Sequence, residues 1–516
     1  MQRPDSDSTN ADGPARAAQI TIGTLFRARA CCHPERIAIE DARRSLDYAR
    51  LDERVCQLAN VLAHAGLKRG DRIAVLSENR VEYLEITLAA ALLGIIVCAQ
   101  NWRLKPNELL HCIELTRPAV LFVSRRHREL LAGIDHGVPR IIEIERDYET
   151  LLTRASSGAP AIVAQPEDGL TILYTSGTTG LPKGALVSHR ALVARIHSNF
   201  ADLELAGGDT FVAWPPLFHM ASMDQSLAVL CSGGRVIVVD GFEVERLVDI
   251  AMKQRLWWLL LMPGTVDRFC IELTRRGRPV AGMKLVGAMA DLVPRHQIAE
   301  LTRLVGAPFV NSFGSTETGP PPATAGRFGI GEAPLDLAKT QSSLCDVRLV
   351  DADDKEVEDG MPGELTFRGP TLFSGYWNAP ETNSRDFRGG WFHMGDVFVR
   401  NPDRSLSFVD RVKYMIKSGG ENIYPAEIEQ VLLAAPGVEE AVVVRQPDDR
   451  WGEVPIAMVA RSDPNLSEAD LLERCAQVLA GYKRPREIRF MELERFPRST
   501  TGKVQRHELE RWLTRR

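Results

Sequence analysis

Residues 174–184 read Y-T-S-G-T-T-G-L-P-K-G, with three glycines, four Ser/Thr hydroxyls and one lysine in eleven positions. An apolar run, L-T-I-L-Y at 170–174, enters this stretch and reads as a short strand. A-L-V at 185–187 leads out of it to Ser188 and a helical pattern from His189 (Ala191, Leu192, Ala194, Ile196). Glycine lets the backbone turn so that N–H groups converge, and hydroxyls add donors around the same point. Lys183 adds a point charge. Such a loop between regular elements suits an anion. It is not a Walker A loop, because the residue after Lys183 is Gly184 and not Ser or Thr. The competing reading is a plain surface linker, and the length and order of the stretch weigh against it.

The rhythm around the loop predicts an α/β fold. Residues 46–65 carry apolar side chains at helical spacing, 71–77 form a short buried strand, 81–93 a helix and 95–99 a strand. Strands at 120–123 and 140–143 continue the pattern. After the loop come a strand at 235–239, a helix at 243–254 and strands at 256–262, 284–286 and 309–310. Alternation of this kind implies parallel sheets covered by helices, with ligands at the C-terminal ends of strands. Gly287, Ala288, residues 311–319 and the loop are therefore expected in one crevice.

Past residue 340 short strands joined by Asp/Gly/Pro turns predict a small β-rich subdomain, and a new α/β unit starts after 410–413. The expected organisation is a disordered tail at 1–19, a large N-terminal domain at 20–411 that includes the β-rich part from about 341, and a C-terminal domain at 412–516.

Composition bounds the function. A chain of 516 residues is too long for one core. A net charge of −5 does not point to nucleic acid. Residues 482–516 carry eleven Lys/Arg against five Glu, which fits a solvated face or a surface that meets a polyphosphate. Nine scattered cysteines form no C-x-x-C pair and no metal-ligand spacing, which fits reduced thiols and a cytoplasmic protein. The polar first 19 residues do not read as a signal peptide. The longest apolar run, 88–99, falls short of the roughly 20 residues of a transmembrane segment.

Four further blocks follow the loop in order: N-S-F-G-S-T-E-T-G at 311–319, G-W-F-H-M-G-D at 390–396, D-R-V-K-Y-M-I-K-S-G-G-E-N at 410–422 and P-R-S-T-T-G-K at 497–503. With them the chain resembles the adenylate-forming superfamily of acyl-CoA synthetases, luciferases and peptide-synthetase adenylation domains, over nearly its whole length. The fold this implies is α/β: parallel-sheet subdomains and a small β-rich subdomain in a large N-terminal domain, then a smaller, mobile α+β C-terminal domain.

The implied reaction is ATP-dependent activation of a carboxylic acid to acyl-AMP and transfer to CoA, releasing AMP and pyrophosphate. By resemblance, Thr175, Ser176, Gly177, Thr178, Thr179, Gly180 and Lys183 hold phosphates. Thr316 and Glu317 sit beside them, with Glu317 the Mg²⁺ ligand, a hard oxygen donor for a hard cation. Taken alone, a Glu in such a turn reads as a helix N-cap device. Phe313 lies against adenine where the family usually has Tyr, so the stacking face is kept and the hydroxyl lost. Asp396 accepts from the ribose hydroxyls and Arg411 contacts ribose or phosphate; Met394 stands where Thr is common. Lys503 is the lysine brought onto the carboxylate and α-phosphate, and Lys413 is the hinge about which the C-terminal domain turns between half-reactions.

The resemblance also assigns CoA groups: Arg103, Gly419, Gly420, Trp451, Tyr482, Arg484 and Arg486, aromatics for the adenine and arginines for its phosphates. His219, within W-P-P-L-F-H-M at 214–220, is the candidate beside the reacting carboxylate, and Met220, Gly287 and Ala288 line the acyl pocket with it. The alternative for His219 is a packed core residue. Asp224 and Gln225 are unusual so close to a pocket and read either as a helix cap or as recognition of a polar substrate group. The partners implied are a small-molecule carboxylate, ATP and CoA, with no nucleic acid; a homodimer is left open. Three rivals remain: loading of a carrier-protein phosphopantetheine, a luciferase-like oxygenase, and a regulatory nucleotide-binding protein without turnover.

Overall fold

The computed structural model describes residues 17–175, 181–419, 421–498 and 504–514. The chain forms two compact units, one up to Asp346 plus Arg368–Arg385, the other Val347–Phe367 plus the residues from Asp386 onward.

In the first unit the largest sheet has the order Arg140–Glu143, Val120–Val123, Arg72–Leu76, Ile96–Ala99, Gly169–Thr175, Lys183–Ser188. The first five strands are parallel, as the βαβ pattern predicts. Lys183–Ser188 departs from it and runs antiparallel to Gly169–Thr175, with Thr175 opposite Lys183 and Tyr174 opposite Gly184. The glycine-rich stretch is thus the connection of a hairpin, and the helix His189–Asp202 starts only after this edge strand, capped by the Ser188 hydroxyl accepting from the Ala191 N–H. Gly184 is needed where it stands, because a Cβ there would lie 2.8 Å from Ile172 Cγ2.

Every residue of the helix Val81–Leu93 is buried, and its two glutamates are paired, Glu82 with Arg80 at 2.9 Å and Glu85 with Arg54 at 2.6 Å. A second sheet orders Ser45–Asp47, Ile37–Glu40, Arg235–Val238 and Thr210–Ala213. A third orders Leu256–Leu259, Met283–Val286, Phe309–Val310 and Arg327–Phe328, the first three parallel. Around it pack Trp214, Phe269, Leu301 and Phe309. Burying each such aromatic contributes roughly 2–3 kcal/mol.

The second unit contains the expected β-rich strands, Asp346–Val350, Pro362–Arg368, Phe392–Arg400 and Leu406–Arg411, the last three antiparallel. It also contains a five-stranded sheet in which Gly452–Arg461 pairs antiparallel with Val438–Asp448 and parallel with Glu487–Phe490. Residues from the helices Pro425–Leu433 and Glu468–Val478 fill its core through Ile428, Leu432, Leu471 and Cys475.

Candidate functional site

In the first unit the strand Gly169–Thr175 is fixed just before the glycine-rich stretch. The Tyr174 hydroxyl donates to Cys112 O at 2.9 Å and accepts from Gln100 Nε2 at 3.0 Å. Burial holds its phenol well above the usual range, so it stays a neutral donor. Ser176, Gly177, Thr178, Thr179 and Gly180 lie outside the described residues. Across from Thr175, the Lys183 ammonium sits 5.0 Å from the centre of the Tyr376 ring. Tyr376 is brought there by an edge pairing of its segment with Lys183–Ser188: Leu186 N–H donates to Gly375 O, and Ser374 N–H to Leu186 O. The Tyr376 hydroxyl donates to Glu317 Oε1 at 2.7 Å.

Glu317 lies in the turn of a hairpin, Phe313–Ser315 against Gly319–Ala323. No helix starts there, which removes the N-cap reading. Ser315 and Thr318 lock the turn by reciprocal bonds, Ser315 N–H to Thr318 Oγ1 and Thr318 N–H to Ser315 Oγ. Glu317 is 9% exposed and makes no ion pair among the described residues. A buried carboxylate held by one neutral hydroxyl is an oxygen ligand suited to Mg²⁺. No cluster of three or more His, Cys, Asp or Glu exists among the described residues, so phosphates and water would have to supply the other ligands. Below the turn, the buried Arg195 guanidinium donates to Thr316 O and Glu317 O, both at 3.1 Å, to Thr371 O at 3.0 Å and to Asp224 Oδ2 at 2.7 Å.

That contact answers the question raised by Asp224 and Gln225. Both lie inside the helix Met220–Cys231 and neither caps it. Gln225 Oε1 accepts from Asn199 Nδ2 at 2.7 Å. The cap is His219, whose Nδ1 accepts from the Ala221 N–H at 3.2 Å. Phe218 beside it meets Trp102 edge-on, Trp102 stacks on His127, and the Arg103 guanidinium lies 4.8 Å from the Trp102 ring centre and 5.8 Å from that of Phe218. The loop carrying the CoA candidate Arg103 and the segment carrying His219 are therefore packed together.

Gly287 and Ala288 follow the C-terminal end of Met283–Val286, as ligand-lining residues of a parallel sheet should. Gly287 has φ +76°, and a Cβ there would lie 2.1 Å from the Phe309 ring. Trp258 Nε1 donates to Gly287 O at 2.8 Å, and the Met289 N–H to Ser312 Oγ at 3.1 Å, which joins this wall to the Phe313 hairpin.

In the second unit Asp396 and Arg411 are cross-strand partners, with Arg411 Nε 3.1 Å from Asp396 Oδ1. Glu364 supports the approach to Asp396 by accepting from the Gly395 N–H at 3.0 Å and pairing with His393 Nδ1 at 3.1 Å. Burial raises the Glu364 carboxyl, but His393, Arg388 and the Gly395 N–H outweigh it and leave its pKa lowered. Lys413 lies in the short turn Val412–Tyr414, and its carbonyl accepts from Arg445 at 2.8 Å. Gly419, at φ +59°, lies against Trp451; a Cβ would come within 2.6 Å of that ring. Trp451 and Tyr482 are exposed. Arg486 reaches toward Asp448 at 3.9 Å, whereas Arg484 donates to Leu479 O and Ala476 O and closes the helix Glu468–Val478. Gly420 and Lys503 lie outside the described residues.

Known proteins match this arrangement along the chain. The family model described as AMP-binding enzyme matches residues 26–377, and that described as AMP-binding enzyme C-terminal domain matches 427–503. A feruloyl-CoA synthase of Amycolatopsis is 34% identical, covering 95% of this chain and 98% of its own. An indoleacetate–CoA ligase of Aromatoleum aromaticum is 31% identical over 94% and 96%. A 2-succinylbenzoate–CoA ligase of Geobacillus kaustophilus is 32% identical over 95% and 98%. Among solved structures, o-succinylbenzoate CoA synthetase from Bacillus subtilis, in complex with its acyl-adenylate, superposes with a TM-score of 0.83 at 26% identity over 96% and 98% of the chains. These relatives do not favour the carrier-protein and luciferase readings, and no helix among the described residues is long and apolar enough to cross a membrane. The chain belongs to the AMP-binding enzymes, as an adenylate-forming acid–thiol ligase that joins a carboxylic acid to CoA.

Proposed function

We propose that the enzyme activates an aromatic carboxylic acid and releases it as the aryl or arylalkyl thioester of CoA. The observation that carries the chemistry is the group Thr175, Lys183, Tyr376 and Glu317, in which Tyr376 links two hairpins and brings together a cation, a hydroxyl donor and a carboxylate with no ion pair among the described residues. The aromatic acid is supported by the relatives, whose names carry feruloyl, indoleacetate and succinylbenzoate groups.

In the first half-reaction a carboxylate oxygen attacks the α-phosphorus of ATP and pyrophosphate leaves. Residues 175–180 and Lys183 hold the phosphates, and Thr316 donates to them. Glu317 would hold Mg²⁺, which would supply charge neutralisation at the phosphates. Asp396 and Arg411 take the ribose, Phe313 stacks on adenine, and Lys503 neutralises the reacting carboxylate and α-phosphate. In the second, the CoA thiolate attacks the acyl carbon and AMP leaves. Arg103, Gly419, Gly420, Trp451, Tyr482, Arg484 and Arg486 serve CoA, with Lys413 as the hinge residue between the steps. The nine cysteines, all free thiols, fit action in the cytoplasm.

A panel of aromatic, aliphatic and dicarboxylic acids assayed for CoA-dependent AMP release tests the acid. Aromatic monocarboxylates should lead in kcat/KM, and a lead by malonate or a fatty acid would overturn the proposal. Lys503→Ala should abolish adenylation and leave thioester formation from purified acyl-AMP within a few-fold; survival of both half-reactions would remove Lys503 from the chemistry.

A further inference from the structure

Arg195 and Asp224 form a buried ion pair, each side chain 1% exposed, beneath the Thr316–Glu317 turn. Taking two such charges out of water is costly, and apolar residues of similar size would fill the space at less expense. The arginine, however, does more than fill space. Its donors reach three separate segments: the turn carbonyls of Thr316 and Glu317, the carbonyl of Thr371, and Asp224 on the helix Met220–Cys231. Thr371 belongs to the segment that carries Tyr376, whose hydroxyl bonds Glu317 Oε1, and the Phe373 N–H also donates to Glu317 O at 2.8 Å. One guanidinium therefore ties down the backbone on both sides of the Tyr376–Glu317 hydrogen bond. It touches the turn only through carbonyls. Gly319, at φ +77°, makes room for it, since a Cβ there would lie 2.6 Å from Arg195 Cδ and Nε.

We propose that Arg195, charge-balanced by Asp224, is a positioning residue for adenylation: it fixes Thr316 and Glu317 relative to Tyr376 and takes no part in acid recognition or thioester transfer. This rests on the reading of Thr316 and Glu317 as phosphate- and metal-side groups. Lysine cannot replace it, because a single ammonium does not span acceptors on three segments as a planar fork does.

The test compares Asp224→Asn and Arg195→Lys with wild type, using the acid that the wild-type enzyme turns over fastest in the panel above. Both should lower kcat of ATP–pyrophosphate exchange about 30-fold, somewhat less than the roughly 100-fold that a full 1 Å misplacement can bring. The KM for the acid and the rate of thioester formation from purified acyl-AMP should stay within three-fold. Amide exchange across residues 315–319 should accelerate in Asp224→Asn while the helix Met220–Cys231 keeps its protection. An equal fall in both half-reactions, a rise in acid KM alone, or unchanged exchange in the turn would overturn the proposal. If Arg195→Lys does not fold, the Asp224→Asn measurements decide alone. Glu317→Gln separates the two layers: exchange unaffected by it defeats the assignment of the turn, whereas exchange lost in Glu317→Gln but kept in Asp224→Asn defeats only the role given to Arg195. In the double variant, Asp224→Asn should add no further loss to Glu317→Gln.

Discussion

Glu317 in the first unit and Asp396 in the second are both largely buried carboxylates on antiparallel hairpins, yet their surroundings are built in opposite senses. Around Glu317 the cation is spent on the backbone. Arg195 takes the turn carbonyls, and the carboxylate receives a neutral tyrosine hydroxyl. Around Asp396 the cation faces the carboxylate directly, as Arg411, and the supporting Glu364 takes a backbone N–H. An anion kept from an ion pair retains its charge for a ligand cation, whereas an anion already paired is fit to accept hydrogen bonds from neutral hydroxyls. The difference fits the proposal that Glu317 serves the metal side and Asp396 the ribose side.

The largest effect expected from that contrast is Glu317→Gln, which should lower ATP–pyrophosphate exchange about 100-fold, close to 2.7 kcal/mol of transition-state stabilisation. Asp396→Asn should act on binding, raising the ATP KM about tenfold with a smaller change in kcat. Matching profiles for the two variants in steady-state kinetics would erase the distinction. Tyr376→Phe keeps the ring that faces Lys183 and loses the hydroxyl that orients Glu317. It should cost roughly five- to tenfold in exchange, about 1–1.4 kcal/mol and within the net worth of one hydrogen bond, and Tyr376→Leu should cost more in the same assay.

The smallest effects concern acid stability, and they differ between the units. Burial holds His189 neutral in the fold, with its pKa lowered to about 4, and its Nδ1 accepts from the Ile22 N–H. The unfolded chain takes up that proton near pH 6.5. Stability of the first unit should therefore be full above pH 6.5 and fall by up to about 1.4 kcal/mol per pH unit toward pH 4. His189→Gln should flatten that slope in denaturant titrations. In the second unit the lowered Glu364 contributes stability above its ordinary pKa and loses it as pH falls through the depressed value, so its loss belongs to more acidic solutions. Glu364→Gln should remove that acid limb and leave the His189 limb in place.

Much of the frame was legible in the sequence because it follows from periodicity. The helix Val81–Leu93 and the strands Val120–Val123, Arg140–Glu143 and Phe309–Val310 fall where the pattern put them. The edge strand Lys183–Ser188 was harder to see, since three apolar residues before a helix carry no sign of direction. The helix Met220–Cys231 was hidden as well: it is buried on nearly all sides, its polar residues Ser222, Asp224, Gln225 and Ser226 included, so no solvent-facing side marks its period, and its cap is a histidine. At the site, motifs named the groups that meet ligands but not those behind them. Tyr376 lies 59 positions from Glu317, and Arg195 meets Thr316 across 121. A lone arginine on an apolar helix stretch, with a lone aspartate on another, was the only trace, and pairing them requires the fold.

The contrast between the two carboxylates is tested most directly by a Mg²⁺ titration of ATP–pyrophosphate exchange in wild type, Glu317→Gln and Asp396→Asn. The half-saturating Mg²⁺ concentration should rise at least tenfold in Glu317→Gln and stay within two-fold of wild type in Asp396→Asn. An unchanged Mg²⁺ dependence in Glu317→Gln, or the same shift in both variants, would contradict the account.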